Sequence, residues 1–479
     1  MERKHLYKAA SDTVDKLRTR KRQEHCGLRK EKRDKILSLK RLRYEESGEN
    51  SDPFNLTVED AISLSRAIRK QGPDSLDILR KLKRGFTQGN LIADTFIAQD
   101  GALQSLVRFL TGNDIDLQIE AAWCFTNLAG STRDHAVHIL KAGGAYLITY
   151  LRGSNVLLQD LCAWTLGNLA GDCEECRRIM LDQGAVDPLV HLLKSTFSNV
   201  VQSAAFAICN LAQSNDERIF EEFGKSGVGT VLFKLFKNSS TSADVITELA
   251  WILTYFSANN ESVEYLFSCG ISVSFVVEFL ARCFVLPDSV QVMTPIIRTL
   301  GNICSGPDQF GEEALRSGLL LKAMTSLLSS SIHHVRKESL WLLSNLAAGS
   351  HQSVKAVLDA GLLPIVVEML DATFDIQKES AIVLLNIGYK SEEYLREIMK
   401  LDALGKFLQL LKSQDDELTF LALQFIEMML RTFPESRGVF EKAEGVARLD
   451  ALQFNRNEQI WQCVNDLMGR YFENEQEIQ

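Results

Sequence analysis

The stretch Leu161-Cys-Ala-Trp-Thr-Leu-Gly-Asn-Leu-Ala-Gly-Asp172 sets a tryptophan, an asparagine four residues on and a carboxylate four further. On an α-helix turning about 100° per residue, with Trp164 at zero, Asn168 falls near ~40° and Asp172 near ~80°. Leu158, Cys162, Leu166 and Leu169 gather between roughly 120° and 200°, so the apolar stripe points away from the indole. A large aromatic off the core face of its own helix needs a neighbouring element or a ligand to cover it.

The arrangement recurs as Trp123/Asn127, Trp164/Asn168, Phe206/Asn210, Trp251/Tyr255, Arg298/Asn302, Trp341/Asn345 and Ile382/Asn386, with second positions 41, 42, 45, 47, 43 and 41 residues apart. That period is the one of armadillo and HEAT repeats, two- or three-helix units that bury their apolar faces only against their neighbours. Gly101, Gly184, Gly318 and Gly361 each precede an amphipathic run, and Pro188 and Pro364 fall just inside two of those runs. Glycine suits the turn after a helix and proline the opening of the next, so each marks a joint between helices. With only eight prolines and few alternating β-branched runs, the chain reads as all-α. The fold expected is an armadillo-repeat solenoid over residues 57–472, about ten repeats long.

Charge divides the chain. Residues 1–44 hold 16 Lys or Arg against 6 Asp or Glu, a balance of +10, while the remainder has 37 against 56, or −19. A basic arm on an acidic body fits an interaction tail, a nucleic-acid arm or a segment that docks on its own body. The arm offers only Tyr7 and Tyr44 for stacking on bases, which argues against direct nucleic-acid recognition. A polar, acidic linker fills residues 45–56, and Thr57-Val-Glu-Asp-Ala-Ile opens the first helix. The repeat that follows lacks a Trp/Asn pair, as a terminal cap does. An irregular helical pair covers about 401–435, a last helical segment runs over 436–472, and residues 473–479 form an acidic tail.

Several classes are disfavoured. Glu278 and Arg282 interrupt the longest apolar run, and the opening Met-Glu-Arg-Lys-His lacks the apolar core of a secretory signal, so residence in the cytoplasm and nucleus is expected. Cys173-Glu-Glu-Cys176 has no second pair or histidine at zinc spacing and reads as turn and packing residues, with no metal and no cofactor expected. Eight scattered histidines, no phosphate-binding glycine loop and no nucleophile–base spacing disfavour an enzyme.

A residue held at the same place in every repeat makes a ladder along the inner face of a solenoid. An asparagine amide matches the donor and acceptor of an extended peptide backbone, and the stem of a lysine lies flat between indoles with cation–π attraction of about 0.5–2 kcal/mol. Glu120, Asp160, Asp172, Glu248, Asp308 and Glu379 then neutralise the cationic ends. The ligand expected is a lysine-rich extended segment. The asparagines fit bracing between helices equally well, whereas tryptophans beside carboxylates favour binding.

The runs Ala121-Ala-Trp-Cys-Phe-Thr-Asn-Leu-Ala, Ala163-Trp-Thr-Leu-Gly-Asn-Leu-Ala-Gly-Asp, Leu249-Ala-Trp-Ile-Leu-Thr-Tyr-Phe-Ser, Pro295-Ile-Ile-Arg-Thr-Leu-Gly-Asn-Ile and Lys337-Glu-Ser-Leu-Trp-Leu-Leu-Ser-Asn resemble successive repeats of the importin-α family, in order. That family replaces asparagine by tyrosine and then tryptophan by arginine in its middle repeats, as Tyr255 and Arg298 do here. The resemblance implies a right-handed superhelical solenoid acting as a shuttling nuclear import adaptor. It implies a major signal-peptide site of Trp123, Asn127, Trp164, Asn168, Asp172, Phe206 and Asn210, with Asp172 taking the key lysine. It implies a minor site of Asp308, Trp341, Asn345, Glu379 and Asn386, and a middle of the groove from Glu248, Trp251, Tyr255, Arg298 and Asn302. The arm is similar to an importin-β-binding segment. Arg18, Arg20, Lys21, Arg22, Arg29, Lys30, Lys32, Arg33, Lys40, Arg41 and Arg43 would meet the carrier, and the run Lys40-Arg-Leu-Arg43 would occupy the groove in its absence. The stretch from Glu441 to Ile460 is similar to the final repeat, which a nuclear exporter recognises.

The chain also departs from the pattern, as a diverged member does. Phe206 and Ile382 stand where the family has tryptophan, which leaves poorer stacking slots, and Gly130-Ser131 and Ala136 break the register of the loop after Asn127. The alternative class is an armadillo scaffold or chaperone for a basic partner such as a histone or ribosomal protein, using the same acidic groove without a carrier.

Overall fold

The computed structural model describes residues 55–130, 133–284, 290–453 and 455–472. The basic arm and the acidic tail lie outside them. Every regular element among the described residues is helical. They form two compact units, one ending at Ile271 and one beginning at Ser272.

Both units repeat a triplet of helices ending in a long one. In the first unit Glu174–Asp182, Val186–Leu192 and Ser198–Leu211 make such a triplet, and in the second Asp308–Arg316, Leu319–Leu328 and His333–Ala348 do. The long helices carry the ladder. Those of the first unit, Ile115–Leu128, Val156–Asp172, Ser198–Leu211 and Ala243–Phe256, pack one on the next, as do Val290–Cys304, His333–Ala348, Phe374–Gly388 and Asp416–Thr432 in the second. Side-chain caps start several of them: Asn155 accepts from the Leu158 N–H at 3.0 Å and Asp415 from that of Leu418 at 2.9 Å. The chain's first described helix, Val58–Ile68, opens on the expected Thr57, whose hydroxyl forms a capping box with Asp60.

The joints sit where glycine was expected to put them. Gly101, Gly184, Gly318 and Gly361 have φ of 73°, 75°, 68° and 69°, a left-handed conformation that only a residue without Cβ adopts at no cost. Gly227 and Gly270 take the same conformation, and near the C-terminus Asp402 and Glu444 hold it at φ 55° and 59°. One repeat lacks the joint. Arg133–Tyr150 runs straight through Gly143-Gly144, where a Cβ on Gly143 would press on the Phe125 ring at 3.0 Å. There glycine permits close packing instead of a turn.

The apolar stripe read for the Trp164 helix is a correction. Leu158, Cys162, Leu166 and Leu169 are buried as expected, but so are Trp164 and Asn168 on the supposed outer face. A helix with neighbours on nearly every side is apolar nearly all round, and its hydrophobic period loses contrast.

Candidate functional site

The Trp164 helix carries the densest part of the ladder. The Phe206 ring of the next repeat stacks on the indole with centroids 4.7 Å apart and planes 29° from parallel. A Cβ on Gly167 would stand 2.5 Å from the Phe206 ring, so this glycine lets one repeat approach the next. Trp164 is thus covered in part by a neighbouring repeat. Trp251 and Trp341 are also buried, and Trp123 is half-buried.

Four asparagines brace one repeat to the one before it. The Asn127, Asn210, Asn345 and Asn386 Nδ2 groups donate to the carbonyls of Lys83, Gly167, Gly301 and Ser344 at 2.9, 2.8, 2.9 and 3.0 Å. Gly167, Gly301 and Ser344 each directly precede the ladder asparagine of the earlier repeat. Bracing uses one of two N–H groups and orients the amide, leaving the second N–H and the carbonyl oxygen for another partner. The Asn210 Oδ1 accepts from Gln213 Nε2 at 3.0 Å. Asn168 departs from the series. It is 1% exposed, and neither its Oδ1 nor its Nδ2 has a hydrogen-bond partner. A buried amide left so costs about 1–3 kcal/mol per unsatisfied group until something bonds to it.

Asp172 is the last residue of the Val156–Asp172 helix and is half-buried. A carboxylate at that end adds to the negative pole of the helix dipole and favours a cation beside it. Cys173 follows as the N-cap of the next helix, its sulfur accepting from the Cys176 N–H at 3.4 Å. Burial, then contact with Cys173 and the charges of Asp172 and Glu175, push the Cys176 thiol well up, which disfavours a reactive thiolate.

Two carboxylates expected to face a ligand are engaged within the protein. Glu120 meets the buried Lys83 ammonium at 2.6 Å and Arg80 at 3.3 Å. Asp160 accepts from Ser203 and, at 3.0 Å, from Asn199 of the next repeat. Arg298, read as part of the middle of the groove, makes a two-pronged pair with the buried Glu338, its Nε lying 2.7 Å from Oε2. Glu248, Trp251 and Tyr255 share the Ala243–Phe256 helix and are buried, as are Asn302 and Glu379; Asp308 opens the Asp308–Arg316 helix half-buried. The arm residues from Arg18 to Arg43 lie outside the described residues.

The brace from Asn127 shows a rung that the sequence reading missed. The same offset makes Arg80 and Arg84 the ladder pair of the first repeat, so the acidic ladder ends on two cations. Counting one period back from Trp123 and Asn127 would have found them. Among the described residues no single helix is long and apolar enough to cross a membrane, and no three His, Cys, Asp or Glu side chains gather as a metal site.

A family model described as TMCO6 matches residues 62–471. Importin subunit alpha-2 of Oryza sativa subsp. japonica is 32% identical over 501 residues, covering 95% of this chain and 92% of that protein. Importin subunit alpha-9 of Arabidopsis thaliana is 28% identical over 500 residues, covering 95% and 94%. Among solved structures, an engineered protein superposes with a TM-score of 0.76 at 25% identity, covering 87% of this chain and 99% of its own.

Proposed function

Since the chain belongs to the TMCO6 family, within the wider importin-α family of armadillo proteins, we propose that it is an import adaptor that takes lysine-rich signal segments on the Trp164 helix. One observation carries the reading: successive turns of that helix hold a stacked aromatic, an amide with neither polar atom bonded, and a carboxylate at the helix's negative pole. An extended peptide matches all three. Its backbone would give Asn168 a donor and an acceptor once that buried amide is uncovered, and a lysine ammonium would meet Asp172 in a charge-assisted bond of about 1.5–3 kcal/mol. Residues 1–44 would bind an importin-β-like carrier and, without it, compete with cargo for the groove. A nuclear exporter would engage the C-terminal repeat, and the protein would move between cytoplasm and nucleus.

Fluorescence-polarisation titration of a labelled lysine-rich peptide tests this with the full chain, the full chain plus carrier, and Asp172→Lys plus carrier. Binding should tighten with carrier and weaken at least tenfold in the variant, about 1.4 kcal/mol or more. No binding in the presence of carrier would sink the reading. The braces made by the ladder asparagines then favour the scaffold alternative, in which the row serves packing.

A further inference from the structure

Lys390 follows the Phe374–Gly388 helix, four residues after Asn386, the place Asp172 holds relative to Asn168. The charge there is reversed. Its half-buried side chain reaches back one repeat, where Nζ donates to the carbonyl of Ala348 at 2.9 Å and to that of Gly349. These carbonyls close the His333–Ala348 helix, which carries Trp341 and Asn345.

A helix C-terminus offers carbonyls without intrahelical partners and a partial negative charge, which is what an incoming ammonium seeks. The geometry points to Lys390 as an internal substitute for a cargo lysine: the slot beyond Asn345 is filled from within the chain, and a lysine-rich segment is taken by the first unit alone. This rests on the groove reading above and adds a specificity to it. A tethered ammonium binds without losing the freedom of a separate molecule, so it outcompetes a peptide lysine of equal contact energy. Asn386 is braced to Ser344, and Ile382 gives the Phe374–Gly388 helix no ring on which a lysine stem could stack.

Isothermal titration of the full chain, saturated with the carrier, with a synthetic peptide bearing one lysine cluster reads the number of sites. Lys390→Met keeps the apolar stem and removes the charge, and its thermal melt establishes that it folds. The wild type should take one peptide per chain and Lys390→Met two. In an Asp172→Lys background binding should be lost, and adding Lys390→Met should restore one site. Two sites in the wild type, or one in the folded Lys390→Met protein, would overturn this inference while leaving the cargo reading intact. Binding to none of the proteins would overturn both.

Discussion

Gly301 lies under the indole of Trp341, so close that a Cβ there would stand 2.2 Å from the six-membered ring. Gly167 stands in the same relation to Phe206. In both cases the ladder aromatic of one repeat rests on a glycine just before the ladder asparagine of the repeat before it, and that glycine's carbonyl takes the brace. One residue thus admits a ring and anchors an amide. Gly301→Ala should force Trp341 aside and cost about 1–3 kcal/mol, read as a lower denaturant midpoint at unchanged slope. An unchanged midpoint would mean that the ring has room to move. At the same scale, Glu120→Ala leaves the buried Lys83 ammonium with its carboxylate gone, and a loss of about 3–5 kcal/mol is expected in the same measurement.

The left-handed joints belong to the scale of elements. Glycine holds six of them among the described residues, and Gln71, Asp402 and Glu444 also have positive φ between helices. A glutamate at φ 59° suffers the Cβ–carbonyl crowding that glycine avoids. Glu444→Gly should therefore stabilise the last repeat by about 0.5–1 kcal/mol, after the extra chain entropy that glycine loses on folding. Hydrogen exchange in Gly445–Leu452 would show it as slower opening, and faster opening would contradict it. These elements also show what the sequence made legible. The period, the glycine joints and the Thr57 start depend on local chemistry and could be read from spacing. The partners of Glu120, Asp160, Asn127 and Lys390 lie a full repeat away. The offset between repeats that selects them comes from packing, which no local pattern encodes. The Trp164 helix misled for a related reason: burial on nearly every side removes the contrast that an apolar stripe needs.

For the molecule as a whole, charge sets the terms of association. Residues 45–479 carry 37 Lys or Arg against 56 Asp or Glu, which draws basic segments in from a distance. Raising ionic strength from about 0.05 to about 0.5 M should slow association of a lysine-rich peptide roughly tenfold or more and change its dissociation far less. Stopped-flow traces with salt-independent association would point to stacking and backbone contacts as the whole of the attraction. The first rung, Arg80 and Arg84, sets the opposite sign at one end of the ladder.

The asparagine braces all point one way. Asn127, Asn210, Asn345 and Asn386 each donate to a carbonyl of the repeat before their own. A ribosome delivers the acceptor before the donor, so each emerging repeat meets a template that is already in place, and chain growth and structural order advance together. Loss of residues from the trailing end leaves every earlier brace complete, whereas loss from the leading end strands the next amide in line. The ladder therefore has a grain, and damage to it is not symmetric.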